Sequence, residues 1–163
     1  MRVVSLVPSV TETLLAWGVT PVGVTRFCEQ PELNAVGGTK NPDVEAIVAL
    51  APDLVVMDTE ENRIVDADAL RDAGASVHVT SVRSLDDVAP TLGALADAVG
   101  VDPPSRPLDP SSFGRGVATG RTAFVPIWRR PWMTISGDTY GSSLLAAVGI
   151  TNVYAPATEP YPT

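Results

Sequence analysis

The sequence predicts an α/β fold: a parallel-sheet lobe followed by a partial second α/β lobe. Three observations carry that prediction. Short β-branched apolar runs alternate with helical segments, as strands and crossover helices do. Pro, Gly, Asn, Asp and Ser punctuate nearly every change of pattern. The chain has 163 residues, enough for one ordinary domain and part of another.

The elements follow in order. Arg2–Val7 is β-branched and bounded by Pro8-Ser9, the pattern of a strand buried on both faces. Ser9 and Glu12 have the S-x-x-E spacing of a capping box, so a helix is predicted through Thr13–Trp17, stopped by Gly18. Pro21–Thr25 is a second short strand. Asn41 and Pro42 are expected to open a helix running to about Leu50, as N-cap and first helical residue. Leu54–Met57 is a strand, Asp58–Asn62 a polar loop, Val65–Ala73 a helix stopped by Gly74, and Ser76–Val79 a strand. Ser84, with Asp87 at the third helical position, starts a helix that carries to Val99-Gly100.

From 102 to 120 the pattern changes to four prolines and three glycines without hydrophobic periodicity, which reads as a linker. The predicted division is therefore a lobe over 1–100, a linker over 101–120 and a partial lobe over 121–163. In that last part Thr122–Ile127 is read as a strand, Trp128–Trp132 as an aromatic and basic loop, and Met133–Ser136 as a short strand. A helix opened by Gly137-Asp138-Thr139 continues through Ala147.

Charge and composition exclude several functions. Eleven Lys and Arg against nineteen Asp and Glu leave a net charge of −8, which repels phosphate backbones and argues against nucleic-acid binding. No apolar run approaches the ~20 residues of a membrane helix, and no signal-peptide pattern precedes the first strand, so the chain as given reads as cytoplasmic and unanchored. One cysteine, Cys28, forms no intrachain disulfide. One histidine, His78, builds no multi-histidine metal site; within its strand it reads as structural. Gly37-Gly38-Thr39-Lys40 lacks the first glycine of a phosphate-binding loop at the required spacing. No catalytic residue, metal site or resident cofactor is predicted.

What remains is a rim of polar loops at the carboxyl ends of successive strands, where open α/β sheets collect ligands. Its parts are Pro8–Glu12, Arg26–Pro31, Gly37–Pro42 and Asp58–Asn62. The helix after Ser9 adds a positive dipole end there.

The ordered set Arg2–Glu12, Pro21–Thr25 with Pro31, Val36–Gly38 and Glu45–Val55 resembles the helical-backbone substrate-binding proteins of ABC importers, their cobalamin-binding branch in particular. Phe124–Trp128, Ser136–Gly141 and Leu144–Val153 resemble the opening of that family's second lobe. The resemblance covers most of the chain outside 102–120, and its order is more specific than any single motif. It implies two Rossmann-like lobes of the periplasmic-binding-protein kind, joined by a long helix. A corrinoid, haem, siderophore or other metal chelate would lie in the groove between them and pass unchanged to a membrane permease. It also implies aromatic contacts at Phe27, at Trp132 or Met133, and at Tyr161.

On this reading Phe27, Trp128 and Trp132 are apolar walls for a flat guest, and Ser9, Thr11 and Asp138 are polar contacts. Asp138-Thr139 is a helix cap in the first place. Glu60 and Glu61 lie near the segment where the family presents an acidic side chain to its permease; a solvated face is the alternative for both. Trp17, at helical spacing from Leu14, is read as core. The sequence departs from the family in the proline-rich stretch after Gly100, where the long helix should lie, and in the early end of the second lobe. A cytoplasmic chelate-modifying enzyme and an inactive fragment are the rival readings.

Overall fold

The computed structural model describes residues 1–102 and 117–163. They form two compact units, the first holding 1–81 and 93–102 and the second 82–92 and 117–163. Most of the linker expected over 101–120 lies outside the described residues.

The first unit is built on strands β1 (Val3–Ser5), β2 (Gly23–Val24), β5 (Leu54–Asp58) and β6 (Val77–Thr80). They are parallel and ordered β2-β1-β5-β6. Between β2 and β5 the chain makes a small antiparallel hairpin, β3 (Gly37–Gly38) with β4 (Asn41–Pro42). The helices are α1 (Pro8–Ala16), α2 (Val44–Ala49), α3 (Ile64–Asp72) and α4 (Leu85–Val99), whose last seven residues belong to this unit.

Successive strand residues point to opposite faces, and here both faces are covered. Val3 and Val56 pack with Val10, Leu14, Leu95 and Val99 on one side, and Trp17 packs against that cluster as expected. Val4 and Val55 pack with Ile47, Met57, Ala67 and Leu70 on the other. That is why the strands read as continuous apolar runs and not as alternating ones. Each such buried side chain contributes roughly 1.5–3 kcal/mol relative to exposure.

Two predicted helix starts are corrected. α1 begins at Pro8, after Val7, with no side-chain cap. Proline has no N–H to satisfy and its φ is already helical, so the helix starts two residues early and Ser9 lies inside its first turn. α2 is capped by Asp43, which accepts from Ala46 N at 3.0 Å, while Asn41 and Pro42 pair with Gly38 and Gly37. Gly37, at φ 92°, provides the left-handed backbone that the hairpin requires. The start of α4 is as expected: the Asp87 carboxylate accepts from Ser84 N at 2.8 Å and Ser84 Oγ at 2.9 Å.

In the second unit β7 (Arg121–Ala123) and β10 (Ile150–Asn152) pair in parallel, with helix α5 (Tyr140–Ala147) between them in sequence. Thr139 caps α5 by accepting from Ser142 N. The stretch predicted as a strand over Thr122–Ile127, an aromatic loop over Trp128–Trp132 and a short strand over Met133–Ser136 forms β7 and then the antiparallel hairpin β8 (Pro126–Arg129) and β9 (Trp132–Thr134), whose turn is shorter than expected. Pro126 cannot donate to a ladder, and β7 ends before it. Trp128 and Trp132 are therefore strand residues on either side of the turn at Arg130-Pro131.

Candidate functional site

The rim of the first unit is assembled from loops held by a few buried polar groups. Asn62 joins three of them: its Nδ2 donates to Leu6 O at 3.2 Å and Thr39 O at 2.9 Å, and its Oδ1 accepts from Asp58 N at 2.8 Å. Asp58 Oδ1 accepts from Glu60 N at 2.8 Å, and Thr80 Oγ1 donates to Asp58 Oδ2 at 2.7 Å. Lys40 Nζ reaches Glu60 O at 2.5 Å. The loop after β1, the turn between β3 and β4, the loop after β5 and the end of β6 are thus tied into one surface.

At the β2 end of that rim Arg26 and Phe27 pack together, the guanidinium carbon 5.0 Å from the ring centre. A Cβ on Gly38 would fall 2.6 Å from Asn41 Oδ1 and 3.2 Å from both Arg26 Nη2 and Phe27 Cε2, so the bare glycine makes room for the Asn41 side chain first and for the Arg26–Phe27 pair beside it. Phe27 is 55% exposed. Beside it lies a recess of about 130 Å³ lined by Pro8, Thr11, Glu12, Cys28, Glu29 and Gln30 as well as Phe27. Small-molecule sites occupy ~300–1,000 Å³, so this recess admits an edge or a substituent of a guest.

The sequence-predicted polar residues are placed unequally. Ser9 is exposed on the first turn of α1. Thr11 is fully buried; its Oγ1 lies 2.9 Å from Ser5 Oγ, 3.2 Å from Val7 O and 3.3 Å from Cys28 Sγ. Its hydroxyl serves the loop first. Glu60 and Glu61 are exposed on the loop after β5. In the second unit Asp138 is exposed and pairs with Arg83.

The same unit carries most of the exposed aromatic surface. Trp128 is 64% and Trp132 60% exposed, with Phe124, Ile127 and Tyr154 also exposed. Phe124 and Tyr154 pack with their rings tilted by 47° and their centres 5.7 Å apart. Tyr161 lies in an extended segment beside β9, where Thr134 N donates to Pro162 O and Ser136 N to Pro160 O. Register separates the two tryptophans. Trp128 is opposite Met133 and Arg129 is opposite Trp132, and directly opposed residues share a face. Trp128 and Trp132 therefore point to opposite faces of the hairpin.

Groups with displaced ionisation lie away from the Phe27 recess. Burial lowers the His78 pKa, and the hydrogen bond to Asp66 raises that of Arg63. Among the described residues no group of three or more His, Cys, Asp or Glu is placed to hold a metal ion. No described helix is long and apolar enough to cross a membrane.

The sequence pattern of the periplasmic binding protein family matches residues 3–102. The chain belongs to that family. Similar relatives include the vitamin B12-binding protein of Vibrio parahaemolyticus, 27% identical over 99% of this chain and 64% of the relative. The vitamin B12-binding protein of Salmonella choleraesuis is 34% identical over 58% of this chain and 37% of the relative. This periplasmic binding protein chain thus spans less than two thirds of those relatives' length. Among solved structures it is similar to the periplasmic vitamin B12-binding protein of Vibrio cholerae, with a TM-score of 0.79 at 23% identity, covering 99% of this chain and 69% of that one. It is equally similar to the periplasmic heme-binding protein of Roseiflexus sp. RS-1, with a TM-score of 0.80, the same identity and the same coverages. Both likenesses show the α/β periplasmic-binding-protein fold.

Sequence reasoning missed Asn62, Gly38 and the hairpin register. Asn62 stands next to two exposed glutamates, and nothing in its neighbourhood marks it as the buried member. The glycine pair looks like a failed phosphate loop, whereas Gly37 turns the hairpin and Gly38 makes room for Asn41 and for the Arg26–Phe27 pair.

Proposed function

We propose that this chain binds a metal chelate without altering it, a corrinoid first and haem or a ferric siderophore next, as the substrate-binding component of an ABC importer. The observation that carries the reading is the exposure of large aromatic side chains, Phe27 on the first unit and Trp128 and Trp132 on the second, in a chain of the periplasmic binding protein family. Exposed apolar side chains gathered in a contiguous patch mark binding surfaces, and a flat macrocycle is covered by aromatic faces at little entropic cost. The names of the relatives, vitamin B12-binding and heme-binding proteins, support the ligand class. Ser9, Thr11, Asp138 and Tyr161 are assigned to orienting the guest. Glu60 and Glu61 are assigned to meeting basic residues of a permease. The division into lobes over 1–100 and 121–163 with a linker between belongs to the same proposal.

The test is a titration of the folded chain with cobalamin, haem and a ferric siderophore in turn, following tryptophan fluorescence and the ligand's absorption. Saturable quenching by at least one is expected. Because the two tryptophans face opposite ways, Trp128→Ala and Trp132→Ala are expected to differ, the ring that meets the guest costing about tenfold or more in affinity. No spectral change with any of the three ligands would remove the proposal.

A further inference from the structure

Phe27 is carried by a short turn, and a series of hydrogen bonds fixes that turn from beneath. Thr25–Cys28 is closed by Cys28 N donating to Thr25 O at 3.0 Å, the bond of a β-turn. Within it Phe27 N donates to Thr25 Oγ1 at 3.3 Å, the hydroxyl standing in for a backbone acceptor. Thr25 Oγ1 lies 3.5 Å from Cys28 Sγ, which lies 3.3 Å from Thr11 Oγ1. Thr11 Oγ1 donates to Ser5 Oγ at 2.9 Å, with Val7 O at 3.2 Å as its second acceptor, and Ser5 Oγ donates to Val7 O at 3.1 Å.

Each of these side chains has a single proton to give. Ser5 gives its proton to Val7 O, and Thr11 gives its own to Ser5 or Val7, so the thiol donates to Thr11 and the Thr25 hydroxyl donates to the thiol. The series therefore runs one way, from the amide of Phe27 to the carbonyl at the end of β1, each donor used once. Such bonds reinforce one another along a chain. Ser5, Thr11 and Thr25 are buried. Pro8, Thr11, Phe27 and Cys28 face the recess, and Thr25 is not among its walls. Arg26, Phe27 and Glu29 are exposed, so the turn adds little to the core; what the series secures is the direction of a bare ring. We infer that Thr25 is a positioning residue for guest binding, acting through Phe27 without touching the guest. This rests on the chelate-binding reading above.

The experiment is a double-mutant cycle on the full chain, with affinity and urea midpoint measured for each variant. Cobalamin, iron protoporphyrin IX and ferric desferrioxamine B are titrated first, and the cycle uses whichever binds tightest. Phe27→Ala is expected to weaken binding about tenfold. Thr25→Val, which keeps the β-branched shape and removes the hydroxyl, should weaken it about three- to tenfold, and should add nothing once Phe27 is alanine. Thr25→Ser restores the acceptor and should restore the affinity. Where Thr25→Val does not fold, Cys28→Ala cuts the series one step further on and completes the same cycle. Unchanged affinity in Thr25→Val or in Phe27→Ala, a Thr25→Val loss that persists in full beside Phe27→Ala, or no rescue by serine overturns the inference alone. A folded chain that binds none of the three ligands overturns the inference and the chelate-binding reading together.

Discussion

Asn62 is one side chain holding three loops, and its removal leaves the carbonyls of Leu6 and Thr39 buried without their donor. Unpaired buried polar groups cost ~1–3 kcal/mol each. Asn62→Ala is therefore expected to destabilise the chain by about 2–4 kcal/mol in urea denaturation. Asn62→Asp, which sets a carboxylate against two carbonyls, should be at least as severe. Two glycines give opposite expectations in the same assay. At Gly37 a Cβ would lie 2.7 Å from Asn41 O and from Asp43 N in a left-handed backbone, so Gly37→Ala should cost more than ~1–2 kcal/mol. At Gly93, inside α4, a Cβ meets nothing within 4 Å, and Gly93→Ala should stabilise by ~0.5–1 kcal/mol. His78 adds a pH dependence. Burial lowers its folded pKa below the ordinary 6.5, so the unfolded chain takes up the proton first as pH falls. Stability is then highest above about pH 6.5 and declines as pH falls through that value towards the lower folded pKa. Urea midpoints measured from pH 8 to pH 5 should show the decline, and His78→Asn should flatten it.

At the scale of elements, what could be read from the sequence was what repeats along it. β1 and β5 are legible because burial on both faces makes every residue apolar, and α4 because Ser84 and Asp87 cap it locally. The start of α2 was misplaced by two residues because Asn41-Pro42 and Asp43 are both good openers, and the hairpin that decides between them depends on a left-handed Gly37. In the aromatic hairpin the two strands and the turn between them are legible, but the sequence places Trp128 and Trp132 in the turn for a related reason. Prolines at 126 and 131 with arginines at 129 and 130 look irregular along the chain, and only the pairing of Trp132 with Arg129 shows a strand. Pairing across strands is non-local information. The consequence for function is direct: two tryptophans that look equivalent in sequence occupy opposite faces.

For the molecule as a whole, the fold follows from the sheet of the first unit and from membership of the periplasmic binding protein family. The proposed function follows from which apolar groups that fold leaves outside. Phe27 was legible as a candidate through the resemblance of its rim; its partner Arg26 was not, because adjacency in sequence does not reveal a cation stacked on a ring. The central proposal is that the chain holds a corrinoid by its exposed aromatic surface and releases it unchanged. Hydrogen–deuterium exchange of the chain with and without saturating cobalamin tests it most directly. The account predicts slowed exchange on loading at an exposed aromatic segment, around Phe27–Gln30 or across Pro126–Thr134, with the corrinoid recovered unchanged. Protection at neither segment under saturating ligand, or a chemically altered corrinoid, would contradict it.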